Sequence, residues 1–284
     1  MLRMLGNPRR FCDGITRREA LTAGALSVLG SGFTLPELLA REERRPVAAR
    51  GAKAKSVLVL YLHGGGYVMG SLATHRNLAA RVSRATAGRA LLLDYRLAPE
   101  HPFPAALEDA VAGYRWLLSE GHDPGRLALA GDSAGGGLVL ATLVLLRTSG
   151  DSLPAAAVCL SPWTDLALTS ESMETRADSD PAVDRVTLQH WAEHYLGGSD
   201  PLHPLASPLY ADLAGLPPLL LLVGTAEVLL DDAARVARKA VVAGVEVVHE
   251  QWPELGHVFA AYANTPEAAE AVALIGGFLD EHWT

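Results

Sequence analysis

Six apolar runs recur between residues 56 and 252, and they constrain the fold of this 284-residue chain more than any other feature. Most of the runs are continuously apolar, a pattern typical of parallel β-strands that are covered on both faces. Because helical patterns lie between them, they predict one α/β domain with a mostly parallel sheet flanked by helices. The predicted strands are 56–62, 89–95, 126–131, 155–161, 218–224 and 245–252, and the predicted helices include 107–121, 135–150, 231–245 and 266–283.

One segment, residues 163–208, breaks this alternation because it contains helical patterns and no strand candidate. It is long for a simple connection, so we expect an inserted subdomain, called the insertion below. An insertion above the carboxyl ends of the strands would cover the place where parallel sheets bind their ligands. The expected organisation is an N-terminal segment, residues 1–55, followed by a catalytic domain over 56–284 that the insertion interrupts.

The N-terminal segment admits two interpretations. Arg17 and Arg18 precede an uncharged stretch over residues 20–36, which resembles a twin-arginine export signal. The residues after the arginines fit such a signal poorly, however, and no A-x-A cleavage site follows at the expected distance. The alternative is a helix that packs over the main domain. We therefore expect a cytoplasmic protein, with export as the alternative.

Charge and composition narrow the classes of partner. A formal net charge of −8 argues against nucleic acid or an anionic membrane surface as the main partner. No apolar run reaches the length of a membrane span. The two cysteines, Cys12 and Cys159, make neither a disulfide framework nor a zinc site. A small molecule is the expected partner, whereas self-association into a homodimer is compatible with the sequence but not specified by it.

The segment GDSAG, residues 131–135, places Ser133 between a predicted strand and a predicted helix. It has the G-x-S-x-G form of a nucleophile elbow, in which a sharp strand-to-helix turn leaves no room for side chains two residues either side of the serine. The hydroxyl is then exposed at the start of a helix, where free N–H groups and the helix dipole favour negative charge. These features predict Ser133 as a nucleophile and not merely a small residue in a tight turn.

A second glycine-rich segment, HGGG at residues 63–66, directly follows the first predicted strand. Gly64, Gly65 and Gly66 carry no side chains, so their N–H groups can approach an oxyanion without obstruction. Alone, such a segment is more often a simple turn, but its combination with the serine motif favours an oxyanion loop. His63 is expected to support this loop instead of taking a proton.

Four motifs together resemble those of the bacterial hormone-sensitive-lipase-like esterases of the α/β-hydrolase superfamily. They are HGGGY at 63–67, DYRLAPEHPFPAALED at 94–109, GDSAGG at 131–136 and LSPWTDL at 160–166. The resemblance extends from about residue 56 to the C-terminus. It implies an α/β-hydrolase fold with a helical cap, made of the N-terminal segment and the insertion, and hydrolysis by a serine, an acid and a histidine.

The resemblance also implies roles for individual residues. Ser133 matches the nucleophile, and Ala134 together with the glycines of HGGG, above all Gly65 and Gly66, matches the oxyanion donors. Carboxylic esters of short to medium acyl length are the implied substrates, with neither a metal nor an organic cofactor. Lactone hydrolysis and deacetylation of aryl esters or amides on the same site stay open, because the residues that select the substrate lie in the least predictable part of the chain.

His257 and Glu227 are the predicted base and acid. In α/β-hydrolases the histidine comes last in chain order, on a loop after the final strand, and His257 lies there. Glu227 follows the strand at 218–224, where no capping role explains a carboxylate, although the family usually has aspartate at this place and a proline next to it. Asp231 is the alternative acid, but Asp231 and Asp232 stand where a helix begins, so N-cap and first-turn roles account for them.

Two other functions compete with this one. The run HWAEH, residues 190–194, matches the H-x-x-E-H pattern of some zinc peptidases, but no second glutamate ligand follows on a convincing helix. A pair of surface histidines is the preferred interpretation. A small-molecule receptor is the non-enzymatic alternative, and it is disfavoured because all three triad residues and the oxyanion loop are present. The sequence therefore predicts a carboxylic ester hydrolase.

Overall fold

The computed structural model describes residues 57–283 and contains a six-stranded sheet in which every strand runs parallel to its neighbours. The strands are β1 (Leu58–Leu62), β2 (Arg89–Leu93), β3 (Leu127–Asp132), β4 (Ala156–Leu160), β5 (Leu219–Gly224) and β6 (Val247–Trp252). Their order across the sheet is β2-β1-β3-β4-β5-β6. The predicted parallel sheet is confirmed, and each strand lies within the apolar run that predicts it or extends one residue beyond it.

Seven α-helices connect and cover these strands within the described residues. They are α1 (Leu72–Ala85), α2 (Ala105–Ser119), α3 (Ala134–Thr148), α4 (Ser172–Thr175), α5 (Arg185–Leu196), α6 (Leu230–Val242) and α7 (Pro266–His282). The four helices predicted by range correspond to α2, α3, α6 and α7. Helix α1 lies in a stretch for which the apolar pattern gave no prediction, and it begins with a reciprocal capping box between Ser71 and Thr74.

The sheet carries an apolar core on each face. On one face, Leu58, Leu60 and Leu62 of β1 pack with residues of α2, α3 and α6. On the other, Val59 and Tyr61 pack with residues of α1 and α7. Successive side chains of a strand point to opposite faces, so a strand that is covered on both sides is apolar at every position. This explains why the predicted strands are continuous apolar runs.

The insertion contributes α4 and α5 and no strand, and buried carboxylates attach it to the start of α6. Asp232, in the first turn of α6, accepts hydrogen bonds from the N–H groups of Thr164 (2.8 Å) and Asp165 (2.9 Å) and from the Ser170 hydroxyl (2.6 Å). The helix has no side-chain N-cap. The capping role predicted for this aspartate is therefore replaced by contacts with the insertion.

Two further expectations concern the N-terminal segment and membrane-spanning helices. The N-terminal segment, with both of its interpretations, lies outside the described residues. Within residues 57–283, no helix combines the length and the apolar character that a membrane span requires.

Candidate active site

The serine motif forms a tight turn between β3 and α3. Ser133 has φ +52° and ψ −122°, a conformation that is strained for any residue with a side chain. A Cβ atom on Gly131 would collide with the backbone of Gly135, and one on Gly135 would collide with the carbonyl of Leu62. The two flanking glycines are therefore required by close backbone approach, as the motif predicts. The turn places Ser133 directly before the first residue of α3.

The HGGG loop follows β1, next to β3 in the sheet. Within the described residues, the N–H groups of Gly64, Gly65 and Gly66 donate to no carbonyl or side chain. Ala134 is the first residue of α3, so its N–H also lacks a helical acceptor. Free amides on two neighbouring segments are the donor set that an oxyanion requires.

His63 is buried inside this loop. Its Nδ1 donates to the carbonyl of Gly64 at 2.8 Å, and its ring stacks on Tyr95 at a centroid distance of 4.2 Å. Burial lowers the pKa of His63 below its ordinary value, so the ring is neutral at pH 7. The arrangement agrees with a supporting role for His63.

Asp132, immediately before Ser133, binds two side chains, Tyr61 and His75, that no sequence motif indicates. It accepts hydrogen bonds from the Tyr61 hydroxyl at 2.8 Å and from Nε2 of His75 at 3.2 Å. Burial disfavours the charged form of His75, but the hydrogen bond and charge of Asp132, together with a hydrogen bond to the backbone of Ser71, outweigh this penalty and raise the pKa of His75. A Cβ on Gly64 would collide with the Asp132 carboxylate, so this aspartate packs directly against the HGGG loop.

Glu227 and His257 form a hydrogen-bonded pair at the carboxyl ends of β5 and β6. His257 Nδ1 lies 2.9 Å from Oε2 of Glu227, whose side chain is 0% exposed. The other carboxylate oxygen, Oε1, accepts from the N–H of Gly224 at 2.6 Å and from the hydroxyl of Ser161 at 2.7 Å. The pair therefore has the contact by which a carboxylate fixes the tautomer of a catalytic histidine.

Ser161 connects this pair to the serine motif; it lies within the LSPWTDL motif, which by itself assigns it no role. It is the residue after β4, and its hydroxyl also accepts from the N–H of Val258, next to His257, at 3.0 Å. The residue before it, Leu160, accepts from the N–H of Ser133 at 2.8 Å. One hydrogen bond thus connects Ser133 to the end of β4, and another connects Glu227 to the residue that follows it. His257 is connected to the same residue through Glu227 and through its neighbour Val258.

Several carboxylates determine the protonation of His257. Burial disfavours the imidazolium, but the hydrogen bond and charge of Glu227, with the charges of Asp180 and Asp132, outweigh that penalty. The pKa of His257 is therefore raised above its ordinary value of 6.5. His257 is therefore predominantly neutral, and able to accept a proton, only at pH values above this raised pKa.

The chain is similar to several known hydrolases. A family model described as the alpha/beta hydrolase fold matches residues 59–261. An acetyl-hydrolase from Streptomyces hygroscopicus is 51% identical over 231 residues, which cover 81% of this chain and 77% of that protein. An esterase from Acinetobacter venetianus is 36% identical over 244 residues, covering 82% and 80% of the two chains. A crystal structure of an esterase from the bacterial hormone-sensitive lipase family matches with a TM-score of 0.80 and 54% identity, covering 82% of this chain and 79% of that one.

The chain belongs to the α/β-hydrolase family. Within that family it is one of the hormone-sensitive-lipase-like esterases, as the four sequence motifs imply. It is therefore an enzyme, a carboxylic ester hydrolase.

The sequence left two alternatives, Asp231 as the acid and a zinc site at His190 and His194, and the contacts of this esterase bear on both. Asp231 accepts from the N–H of Ser172 at 2.8 Å, so its carboxylate is engaged with the insertion. On α5, the Nε2 atoms of His190 and His194 lie 3.0 Å apart. Among residues 57–283, no group of three or more histidines, cysteines or carboxylates is arranged to hold a metal ion. The pair therefore lacks the additional protein ligands of a zinc peptidase site.

Helix α5 of the insertion packs against the HGGG loop. The indole of Trp191 lies so close to Gly66 that a Cβ there would collide with the ring. One turn on, Tyr195 stacks on Tyr67, the residue that follows the HGGG segment, with ring centroids 3.7 Å apart. In this esterase two large aromatic side chains of the insertion therefore lie beside the predicted oxyanion donors.

Proposed function

We propose that Ser133, His257 and Glu227 form the catalytic triad of this esterase and that it hydrolyses carboxylic esters with short to medium acyl chains. The contact between His257 and Glu227 carries this proposal, because a buried carboxylate paired with a largely buried histidine after the last strand is the acid–base half of such a triad. The strained turn at Ser133 supplies the nucleophilic half.

Acylation begins when the Ser133 oxygen attacks the carbonyl carbon of the ester and His257 takes the serine proton through Nε2. The negative charge that forms on the carbonyl oxygen is bound by the free N–H groups of Gly65, Gly66 and Ala134, with Gly64 in the same loop. Glu227 stabilises the imidazolium without taking a proton itself. His257 then protonates the leaving alcohol, and the acyl group remains on Ser133.

Deacylation repeats the same steps with water. His257 removes a proton from a water molecule, which attacks the acyl carbon, and the oxyanion is again bound by the same amides. Collapse of this intermediate breaks the bond to Ser133, and the proton on His257 returns to the serine oxygen. The carboxylic acid leaves, and the enzyme is restored without a cofactor.

Two observations support short to medium acyl groups. Trp191 packs against Gly66, so a large side chain occupies space beside the loop that binds the ester carbonyl. The relative from Streptomyces hygroscopicus is an acetyl-hydrolase, which favours small acyl groups over lactones. A panel of p-nitrophenyl esters of increasing acyl length, together with simple lactones, measures this preference directly.

The triad is tested by the variant Ser133→Ala with p-nitrophenyl acetate and butyrate. We expect turnover to fall on the order of a millionfold, because the triad acts as a unit. Ser119→Ala, an exposed serine at the end of α2, is the matched control and is expected to retain full activity. Substantial activity of Ser133→Ala would exclude Ser133 as the nucleophile, and loss of activity on chelation in the wild type would favour a metal-dependent reaction.

A further inference from the structure

Ser161 is a buried hydroxyl that the reaction steps above do not use. Its residue is 1% exposed, and the hydroxyl makes two hydrogen bonds at once: it donates to Oε1 of Glu227 at 2.7 Å and accepts from the N–H of Val258 at 3.0 Å. A serine hydroxyl has one proton to donate and lone pairs that accept, so this geometry satisfies it fully.

We propose that Ser161 is a positioning residue for the Glu227–His257 pair, an inference that rests on the proposed catalytic role of that pair. The same hydroxyl contacts the acid on one side and the loop of the base on the other. It thereby fixes the distance between two segments that follow different strands, β5 and β6.

The backbone of Ser161 is itself held in place. Its N–H donates to the carbonyl of Leu222 in β5 at 2.7 Å, and its φ of +45° turns the chain sharply at the end of β4. If the hydroxyl is removed, the N–H of Val258 loses its acceptor and Oε1 of Glu227 keeps only the N–H of Gly224. We expect the His257 loop to become more mobile and the carboxylate to be less well oriented.

Removal of the hydroxyl also changes the charge that His257 faces. A donor on Oε1 draws negative charge toward that oxygen, away from Oε2, which contacts the imidazole. Without this donor, Glu227 stabilises the imidazolium more strongly. The other charged groups that act on His257, Asp180 and Asp132, are also carboxylates, so none of them opposes this change. The pKa of His257 then rises further.

The test compares Ser161→Ala with Ser170→Ala. Both substitutions remove a buried hydroxyl that donates to a buried carboxylate, but Ser170 donates to Asp232 at 2.6 Å, on the insertion side. For Ser161→Ala we expect kcat to fall on the order of tenfold to a hundredfold, the range known for outer partners of metal ligands. We also expect KM close to that of the wild type and a low-pH limb of kcat/KM that moves to higher pH. Ser170→Ala is expected to lower Tm and to leave that limb in place.

A third variant keeps the test decisive if Ser161→Ala folds poorly. Ser161→Cys preserves the shape approximately and has a weaker S–H donor, so its kcat and its low-pH limb are expected to lie between those of the wild type and Ser161→Ala. The proposal is overturned if Ser161→Ala and Ser161→Cys lower only Tm, with kcat and the pH profile unchanged. Failure of the triad itself is a separate result, since it appears as activity in Ser133→Ala.

Discussion

Glu227 and Asp232 are two buried carboxylates five positions apart, and their surroundings differ in one decisive respect. Both are 0% exposed, and each accepts hydrogen bonds from a backbone N–H and from a serine hydroxyl. Only Glu227 has an imidazole as a partner. Among residues 57–283, the Asp232 carboxylate accepts hydrogen bonds only from donors of the insertion. Burial alone therefore does not distinguish the two carboxylates, whereas the contact with the imidazole of His257 does.

The largest expected effect that separates the two carboxylates is on turnover. Glu227→Gln preserves the shape but reverses or loses the hydrogen bond to His257 Nδ1, so we expect kcat to fall on the order of a thousandfold to ten thousandfold. The change in the free energy of unfolding is expected to be small compared with this loss of transition-state stabilisation. Steady-state kinetics with p-nitrophenyl butyrate measure the first quantity. Near-normal activity in Glu227→Gln, together with an inactive Asp231→Asn, would transfer the acid role to Asp231.

The opposite pattern is expected for Asp232→Asn. The new amide group cannot accept at both positions, so one or more donors among Thr164, Asp165 and Ser170 lose their partner. We expect the free energy of unfolding to decrease by about 2–3 kcal/mol, the cost of leaving buried polar groups unpaired. Urea denaturation measures this, and the pH profile of the folded variant is the control. A shift of that profile would show that the two carboxylates are not independent.

The pH dependence of the wild type sharpens the comparison further. Because Glu227 raises the pKa of His257 and only the neutral imidazole accepts a proton, the low-pH limb of kcat/KM is expected to be centred above pH 6.5. Loss of the negative charge in Glu227→Gln moves this limb to lower pH, in the opposite direction to Ser161→Ala. Residual activity measured from pH 5 to 9 distinguishes the two. A wild-type limb centred below pH 6.5 would contradict the proposed pairing.

The smallest expected effect concerns the insertion. Trp191→Ala removes the indole beside Gly66, so we expect the ratio of kcat/KM for octanoate over acetate esters to increase by about tenfold. Tyr210→Phe, which removes only a hydroxyl that donates to Asp165, is the control. An unchanged ratio in Trp191→Ala would indicate that other residues limit the acyl chain.

The sheet and most of its helices could be predicted because their signals are local. The runs that became β1 to β6 are apolar at nearly every position, and the glycines around Ser133 are required by the turn they form. Helix α1 has a weaker signal, since its apolar positions are few and its start depends on a capping box. Local patterns therefore predict the elements that bury large faces and miss those that do not.

The site could be predicted only in part, for a related reason. Ser133, Glu227 and His257 follow from motif and chain order. The role of Ser161 does not, although the residue lies in the LSPWTDL motif, because its two partners lie 66 and 97 positions further along the chain. For the same reason, the sequence predicts N-cap and first-turn roles for Asp232 but not its contacts with the insertion. Hydrogen bonds between distant segments become visible only when the strands have been placed side by side.

The most direct test of the account is the position of a covalent adduct formed with a serine-directed organophosphate. The reagent labels the one serine whose hydroxyl is activated by a histidine and whose product is stabilised by oxyanion donors. We predict a single adduct on Ser133, found by peptide mass mapping, with loss of esterase activity in proportion to labelling and much slower labelling of Glu227→Gln. Complete inactivation with Ser133 unmodified, or with the adduct on another residue, would contradict it.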